Sequence, residues 1–215
     1  MLKKIFYNPF FLLMLPVWGI GLLLVLNGDK LKTHLAINAW HDGFSDYFFR
    51  TITHAGDGLF MAGIGVILLF TRIRSGLMVL LTLALSGLIA QLLKKQIFYE
   101  ALRPGFFFKG MDGFHQVPGV ELHLLHSFPS GHATTAFALF FLLALINQNK
   151  GLQIFFLIAA LIAAFSRVYL SQHFLSDVLA GSAIGMFSAS IIFLLMNKLS
   201  GKWELPLHHL FRARK

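Results

Sequence analysis

Residues 152–196 read LQIFFLIAALIAAF, then SRVYLSQHFLSD, then VLAGSAIGMFSASIIFLLM. Two apolar runs, 152–165 and 178–196, are joined by residues 166–177, which carry both formal charges of the stretch, Arg167 and Asp177. A helix crossing a bilayer needs about 20 predominantly apolar residues. The second run meets that length, and the first reaches it by recruiting its polar ends. Residues 166–177 then form a connection at a membrane surface. If the chain is helical from Phe174 onward, positions four apart share a face, so Asp177 can reach one ring nitrogen of His173 and leave the other free. That arrangement orients and activates an imidazole. Arg167 adds a planar fork suited to phosphate oxygens, at the mouth of a membrane helix where an idle guanidinium is costly. The same three residues could instead form an interfacial ion pair that fixes one helix end to another, and the other segments have to decide.

The composition agrees with a membrane chain. Over 215 residues it is 57% hydrophobic and 13% charged, too apolar for an ordinary soluble domain and long enough for one polytopic domain, residues 1–215. Cysteine is absent, which removes disulfides, thiolate catalysis and thiolate-ligated metals. The net charge of +9 could point to nucleic acid, but no basic run is interleaved with exposed aromatics and the 24 Phe mostly lie inside apolar runs. The charge is read as topology and contact with anionic lipid, and no nucleic-acid partner is expected.

Working outward, further apolar runs occupy 10–27 (with Pro16 as a kink), 59–71, 77–93 and 133–146. The first exceeds the core of a signal peptide and no small-x-small cleavage pattern follows it. The expected fold is all-α, a bundle of six transmembrane helices. Residues 28–58 mix Asp29, Lys30, Lys32, Trp40, His41, Asp42, Asp46 and Arg50 with Leu35, Ile37, Phe44, Phe48 and Phe49. This blend suits an amphipathic segment lying in the headgroup layer, with its histidines at the surface. Gly181 and Gly185 form a small-xxx-small pair for close packing of the last helix. The tail from Lys198, with Lys202, Trp203, His208, His209, Arg212, Arg214 and Lys215, reads as a basic interfacial anchor.

Charge placement tests the span count. Six spans with the N-terminus inside put Lys3, Lys4, Arg72, Arg74, Lys150, Lys198, Lys202, Arg212, Arg214 and Lys215 on the inner side against one acid, Glu204. The other eight basic residues share the outer side with the other eight acids, so the entire +9 lies inside. That is the positive-inside bias. The same topology gathers Lys95, Arg103, His132, Arg167, His173 and Asp177 on the outer face, where extracytoplasmic loops would form the site.

Two of those segments carry chemistry of their own. Pro129-Ser130-Gly131-His132 opens the fourth helix, where a hydroxyl, free backbone N–H groups and the positive end of the helix dipole favour an anion. An ordinary Ser N-cap on a Pro-Gly turn fits the same residues. His132 titrates near neutrality and can protonate a leaving oxygen. Lys95 and Arg103, the latter before Pro104, add two cations, although Lys94 and Lys95 also fit snorkelling lysines at a helix end.

These segments together resemble the signature of the type 2 phosphatidic acid phosphatase superfamily, the integral-membrane lipid phosphatases related to vanadium haloperoxidases. That signature is Lys, six residues, Arg-Pro; then Pro-Ser-Gly-His; then Ser-Arg, five residues, His, three residues, Asp. The second part matches at Pro129 to His132 and the third at Ser166, Arg167, His173 and Asp177, with spacing intact. The first departs: seven residues separate Lys95 from Arg103, and position 96 is Gln. On a continuous helix one extra residue turns a side chain by about 100°, which leaves Arg103 in place and Lys95 open, with Lys94 a weaker substitute.

The resemblance implies that His173 attacks phosphorus to form a phosphohistidine, with Asp177 orienting it. His132 would protonate the departing oxygen and then activate water. Lys95, Arg103, Ser130, the backbone of Gly131 and Arg167 would hold the phosphate oxygens, with no metal and no cofactor. The implied substrate is a membrane lipid phosphate or diphosphate, such as undecaprenyl pyrophosphate, phosphatidylglycerophosphate, phosphatidate or a lipid A phosphate. The implied setting is a bacterial inner membrane, with both termini cytoplasmic and the site on the periplasmic or extracellular side. The aromatic loop 105–128 would wall or cover the site. A phosphotransferase on the same scaffold, and a transporter or scaffold with an interfacial charge cluster, are the alternatives.

Overall fold

The computed structural model describes residues 2–198 and 201–207, and among them the chain is helical with no strand. Helix α1 (Leu2–Phe6) leads into α2 (Pro9–Asn27), which starts where Asn8 accepts the N–H of Phe10 and Pro9 takes the first helical position. Asp29 caps α3 (Lys30–Asn38) and Asp42 caps α4 (Gly43–Ile52). A 3₁₀ turn (Thr53–Gly56) follows, then α5 (Gly58–Leu69) and α6 (Ile73–Leu92), which runs on into a π-helical turn (Leu93–Ile97). Short α7 (Pro104–Phe108) lies in the long loop before α8 (Gly131–Ile146). Asn149 caps α9 (Lys150–Tyr169), and α10 (Leu175–Met196) precedes a last 3₁₀ turn, Gly201–Glu204.

Helix α8 is the axis of the bundle. Ala133, Ala136, Phe137, Ala138, Leu139, Phe141, Leu142 and Ala144 are each at most 1% exposed, because a helix that is apolar all round is stable only when surrounded. It is ringed by α2, α5, α6, α9 and α10. The approach of α10 is closest: a Cβ on Gly181 would lie 2.6 Å from the carbonyl oxygen of Ser130, and one on Gly185 would lie 2.4 Å from that of Thr134. The small-xxx-small pair thus sets the distance between the two helices whose first turns carry His132 and Asp177.

Four helices are long and apolar enough to cross a membrane: α2, α6 with its π turn, α9 and α10. A fifth crossing arises if Gly43–Gly56 and Gly58–Leu69, bent by 54°, count as one span, whereas α8 is apolar but only 16 residues long. The six apolar runs are therefore six helices of which two, α5 and α8, fall short of a full crossing. The first turn of α8 begins at Ser130, which is fully buried within the bundle.

Polar contacts define the two ends of the bundle. At one end the Asn8 side chain donates to the Ala144 carbonyl (3.1 Å), Gln153 donates to the same oxygen (3.2 Å), and Glu204 pairs with Arg72 and Arg74 at 3.3 and 2.7 Å. The other end carries α3, α4, the 98–130 loop and the turn between α9 and α10. There Asn38 exchanges two hydrogen bonds with the His115 backbone (2.7 and 2.9 Å), Asp46 holds the His115 ring at 2.8 Å, and Arg50 donates to the Pro118 carbonyl at 3.0 Å. The aromatic loop is thus tied down along its length, with Phe108 and Val117 buried.

One expectation for residues 28–58 is corrected. His41 and His54 are at the surface, but His34 is 2% exposed. Its Nε2 lies 3.0 Å from Ser171 Oγ, and its ring sits between those of Phe108 and Phe174, each 5.5 Å away. Helix α3 packs on the end of α9, against the turn that carries His173. His208, His209, Arg212, Arg214, Lys215 and the Lys202 side chain, assigned above to a basic anchor, lie outside the described residues.

Candidate active site

The turn that ends α9 delivers His173. The Arg167 carbonyl accepts the N–H groups of Gln172 (2.9 Å) and His173 (3.1 Å), and Ser171 takes φ +54°, the left-handed conformation that closes many helices. A non-glycine residue there is strained, and the Ser171 hydroxyl is held by His34. The chain reverses, His173 comes to rest 2% exposed, and α10 starts two residues later. Asp177 reaches back. Its Oδ2 lies 3.4 Å from His173 Nδ1 and also accepts the Phe174 N–H at 3.0 Å and the Ser127 hydroxyl at 2.5 Å. Oδ1 accepts the Ser176 hydroxyl at 3.1 Å. A carboxylate so supplied with donors caps α10 and orients the imidazole at once. Burial pushes the His173 pKa down to about 3, against the raising effect of Asp177. The ring is therefore neutral at pH 7, and with Nδ1–H donated to Asp177 the Nε2 lone pair is the free, nucleophilic end.

Positive charge surrounds that end. Arg103 is held by backbone carbonyls: Nε donates to Leu125 (2.8 Å), Nη1 to Gln172 (3.2 Å) and Nη2 to His126 (3.4 Å). Arg167 is 8% exposed; its Nη1 donates to Thr53 Oγ1 at 2.8 Å, while its buried Nε–H meets no acceptor. An unpaired donor on a buried guanidinium is expensive, and an anion is the ligand that would satisfy it. The third cation is Lys94. It is half-buried and interacts electrostatically with Arg103, Arg167 and Asp177, whereas Lys95 is exposed. The reason is local: the helix widens into the π turn, closed by the Phe98 N–H on the Leu93 carbonyl at 2.8 Å. Such a turn changes which side chains of a helix end face inward.

The second histidine sits at the start of α8. Ser130 is its N-cap, with Oγ accepting the Ala133 N–H at 3.4 Å, so the capping reading of this serine describes what its hydroxyl does here. Its own N–H donates to the Asp177 carbonyl at 3.0 Å, which fastens the first turn of α8 to that of α10. Gly131 and His132 follow, half-buried. His132 Nε2 lies 2.6 Å from Asp57 Oδ1, and the ring also interacts with Arg167. Arg167 links the two histidine sites electrostatically, through Arg103, which acts on His173, and through Asp57, which holds His132. Among the described residues no cluster of three or more His, Asp or Glu is placed to hold a metal ion.

Of the residues singled out in the sequence, His173, Asp177, Arg103, Arg167, His132, Ser130 and Gly131 meet at one end of the bundle. Lys95 is exposed, and Lys94 is the lysine that interacts with the charges of the site. Thr53, Asp57 and Ser127 were not legible in advance. Each lies between 50 and 114 positions from the site residue that it holds, and nothing in its local sequence marks it.

The sequence profile described as the PAP2 superfamily matches residues 75–200, and the chain belongs to that superfamily. Among its relatives are a "Lipid A 1-phosphatase" of Rhizobium johnstonii, 32% identical over 173 residues, with 79% of this chain and 64% of that protein covered, and the "Phosphatidylglycerophosphatase B" of Bacillus subtilis, 31% identical over 155 residues, with 68% and 66% covered. Both names denote hydrolases of phosphoric esters. The chain spans less than two thirds of the length of the Rhizobium johnstonii protein. The fold is also that of Aquifex aeolicus LpxE (TM-score 0.65, 22% identity, 76% of this chain and 94% of that one). It is equally that of a PAP2 type phosphatidylglycerolphosphate phosphatase from Bacillus subtilis (TM-score 0.65, 23% identity, 90% and 98%).

Proposed function

We propose that this chain is an integral-membrane lipid phosphatase that hydrolyses the phosphate ester of a membrane lipid through a phosphohistidine on His173. The observation that carries the reading is a buried, neutral imidazole backed by Asp177, with Arg103, Arg167 and Lys94 around it and one buried guanidinium N–H unpaired. Nε2 of His173 attacks phosphorus while His132 gives a proton to the departing lipid oxygen. His132 then takes a proton from water, which displaces His173 and releases phosphate. Phosphoryl transfer of this kind needs positioning and charge neutralisation more than covalent work by the protein, and three fixed cations supply both. The names of the relatives favour a lipid whose phosphate stands at the membrane surface, of the lipid A or phosphatidylglycerophosphate type. The placement of all excess positive charge on one side supports six crossings, cytoplasmic termini and a site on the outer face of a bacterial inner membrane.

The test is phosphate release from lipid A and phosphatidylglycerophosphate in mixed micelles, with excess chelator throughout. Wild type stays active in chelator, and His173→Ala loses activity by several orders of magnitude together with acid-labile phosphate on the protein. Activity retained by His173→Ala refutes the mechanism, and phosphate appearing on a second lipid rather than free marks a transferase.

A further inference from the structure

The turn from Thr53 to Asp57 lies outside every motif considered above, yet it touches residues from two of them. Thr53 accepts from Arg167, and Asp57 holds His132. The turn lies directly against α8: a Cβ on Gly56 would stand 2.9 Å from the His132 carbonyl oxygen. Asp57 is the N-cap of α5 but makes no capping hydrogen bond, unlike Asp29 and Asp42, whose side chains each accept two N–H groups of the helix that they start. Its carboxylate is committed instead to two imidazoles, with Oδ1 at 2.6 Å from His132 Nε2 and Oδ2 at 2.8 Å from His54 Nδ1. Forgoing a cap in order to bind a ring is what an orienting carboxylate does.

We infer that Asp57 is a positioning residue for His132, braced by His54, and that it fixes Nδ1 of His132 as the nitrogen that exchanges the proton. The inference rests on the mechanism proposed above. With Nε2–H donated to Asp57, Nδ1 is left to face the reaction. In the first half, Nδ1–H of the imidazolium passes its proton to the lipid oxygen as that P–O bond breaks and the His173 Nε2–P bond forms. In the second, Nδ1 takes a proton from water as the water oxygen bonds to phosphorus and the N–P bond breaks, which restores the imidazolium. Asp57 stays ionised throughout. The two histidines are thus held by carboxylates at opposite nitrogens, His173 at Nδ1 and His132 at Nε2.

The experiment follows release of the alcohol or phenol in a single turnover, which reads the first half alone, and compares an alkyl phosphate with an aryl phosphate of matched chain length, since an aryl oxide leaves without a proton and an alkoxide does not. General-acid catalysis is worth roughly 10²- to 10⁴-fold. Asp57→Asn is expected to lose about 10²-fold on the alkyl substrate and less than about fivefold on the aryl one, the pattern expected of His132→Ala. The double variant Asp57→Asn/His132→Ala is expected to be no worse than His132→Ala alone. An equal loss on both substrates, or additive losses in the double variant, overturns the inference, because a merely structural role moves both substrates alike. If Asp57→Asn does not fold, ¹⁵N-histidine spectra of the wild-type protein, recorded at a pH where the ring is neutral, decide: the Nε2–H tautomer for His132 supports the inference and the Nδ1–H tautomer overturns it. His173→Ala runs alongside, and activity retained there overturns the phosphohistidine mechanism rather than the role of Asp57.

Discussion

Removing the Lys94 ammonium tests how the π turn places charge. Lys94 and Lys95 are neighbours that on an ideal helix differ by about 100° in direction; the structure turns Lys94 toward Arg103, Arg167 and Asp177 and leaves Lys95 exposed. A cation that neutralises a transferring phosphoryl group in a partly desolvated site is worth about as much as an oxyanion-hole donor, roughly 10²- to 10³-fold in kcat or about 2.7–4 kcal/mol. An exposed lysine is screened and contributes up to about 1 kcal/mol, some fivefold. Lys94→Ala is therefore expected to lose about 10²- to 10³-fold in phosphate release from lipid phosphate micelles, and Lys95→Ala less than about fivefold. In the free protein Lys94 is repelled by Arg103 and Arg167 and attracted by Asp177 alone, so Lys94→Ala relieves repulsion and should melt no lower than wild type in the same detergent, which separates lost chemistry from lost folding. The reasoning is refuted if Lys95→Ala is the crippled variant and Lys94→Ala is not.

Two further outcomes follow from burial. Gly185→Ala pushes a methyl to 2.4 Å from the Thr134 carbonyl oxygen and 2.7 Å from the Ala138 nitrogen, both backbone atoms, so overpacking of at least about 1–3 kcal/mol is expected as a lower melting temperature with a matching loss of activity; Gly63→Ala, with nothing within 4 Å, is the control and should be neutral or stabilising by up to about 1 kcal/mol. His34 and His173 are buried with pKa values pushed to about 4 and about 3 from an ordinary 6.5. Below pH 6.5 the unfolded chain binds protons that the folded one refuses, so stability is intact above that pH and declines as pH drops toward 4. Thermal inactivation followed from pH 7 to pH 5 should shift to lower temperature, and a flat profile refutes the burial argument.

Six apolar runs could be read along the chain, and each of them is a helix. Apolar runs long enough to need a bilayer are local signals, and a spacing of four between His173 and Asp177 puts both on one face wherever that stretch is helical. Packing decided what those local rules leave open. Helix α8 was readable as apolar but not as the buried axis of the bundle, because being surrounded depends on five other helices. His34 looked like one more polar residue of an interfacial segment until α3 packed on the end of α9. The choice of Lys94 over Lys95 came from a widened turn, and the partners Asp57, Thr53 and Ser127 came from segments that meet only when the bundle closes. A carboxylate 75 positions from the imidazole that it holds leaves no periodic trace, since sequence patterns record which face of a helix a residue occupies and not what faces it.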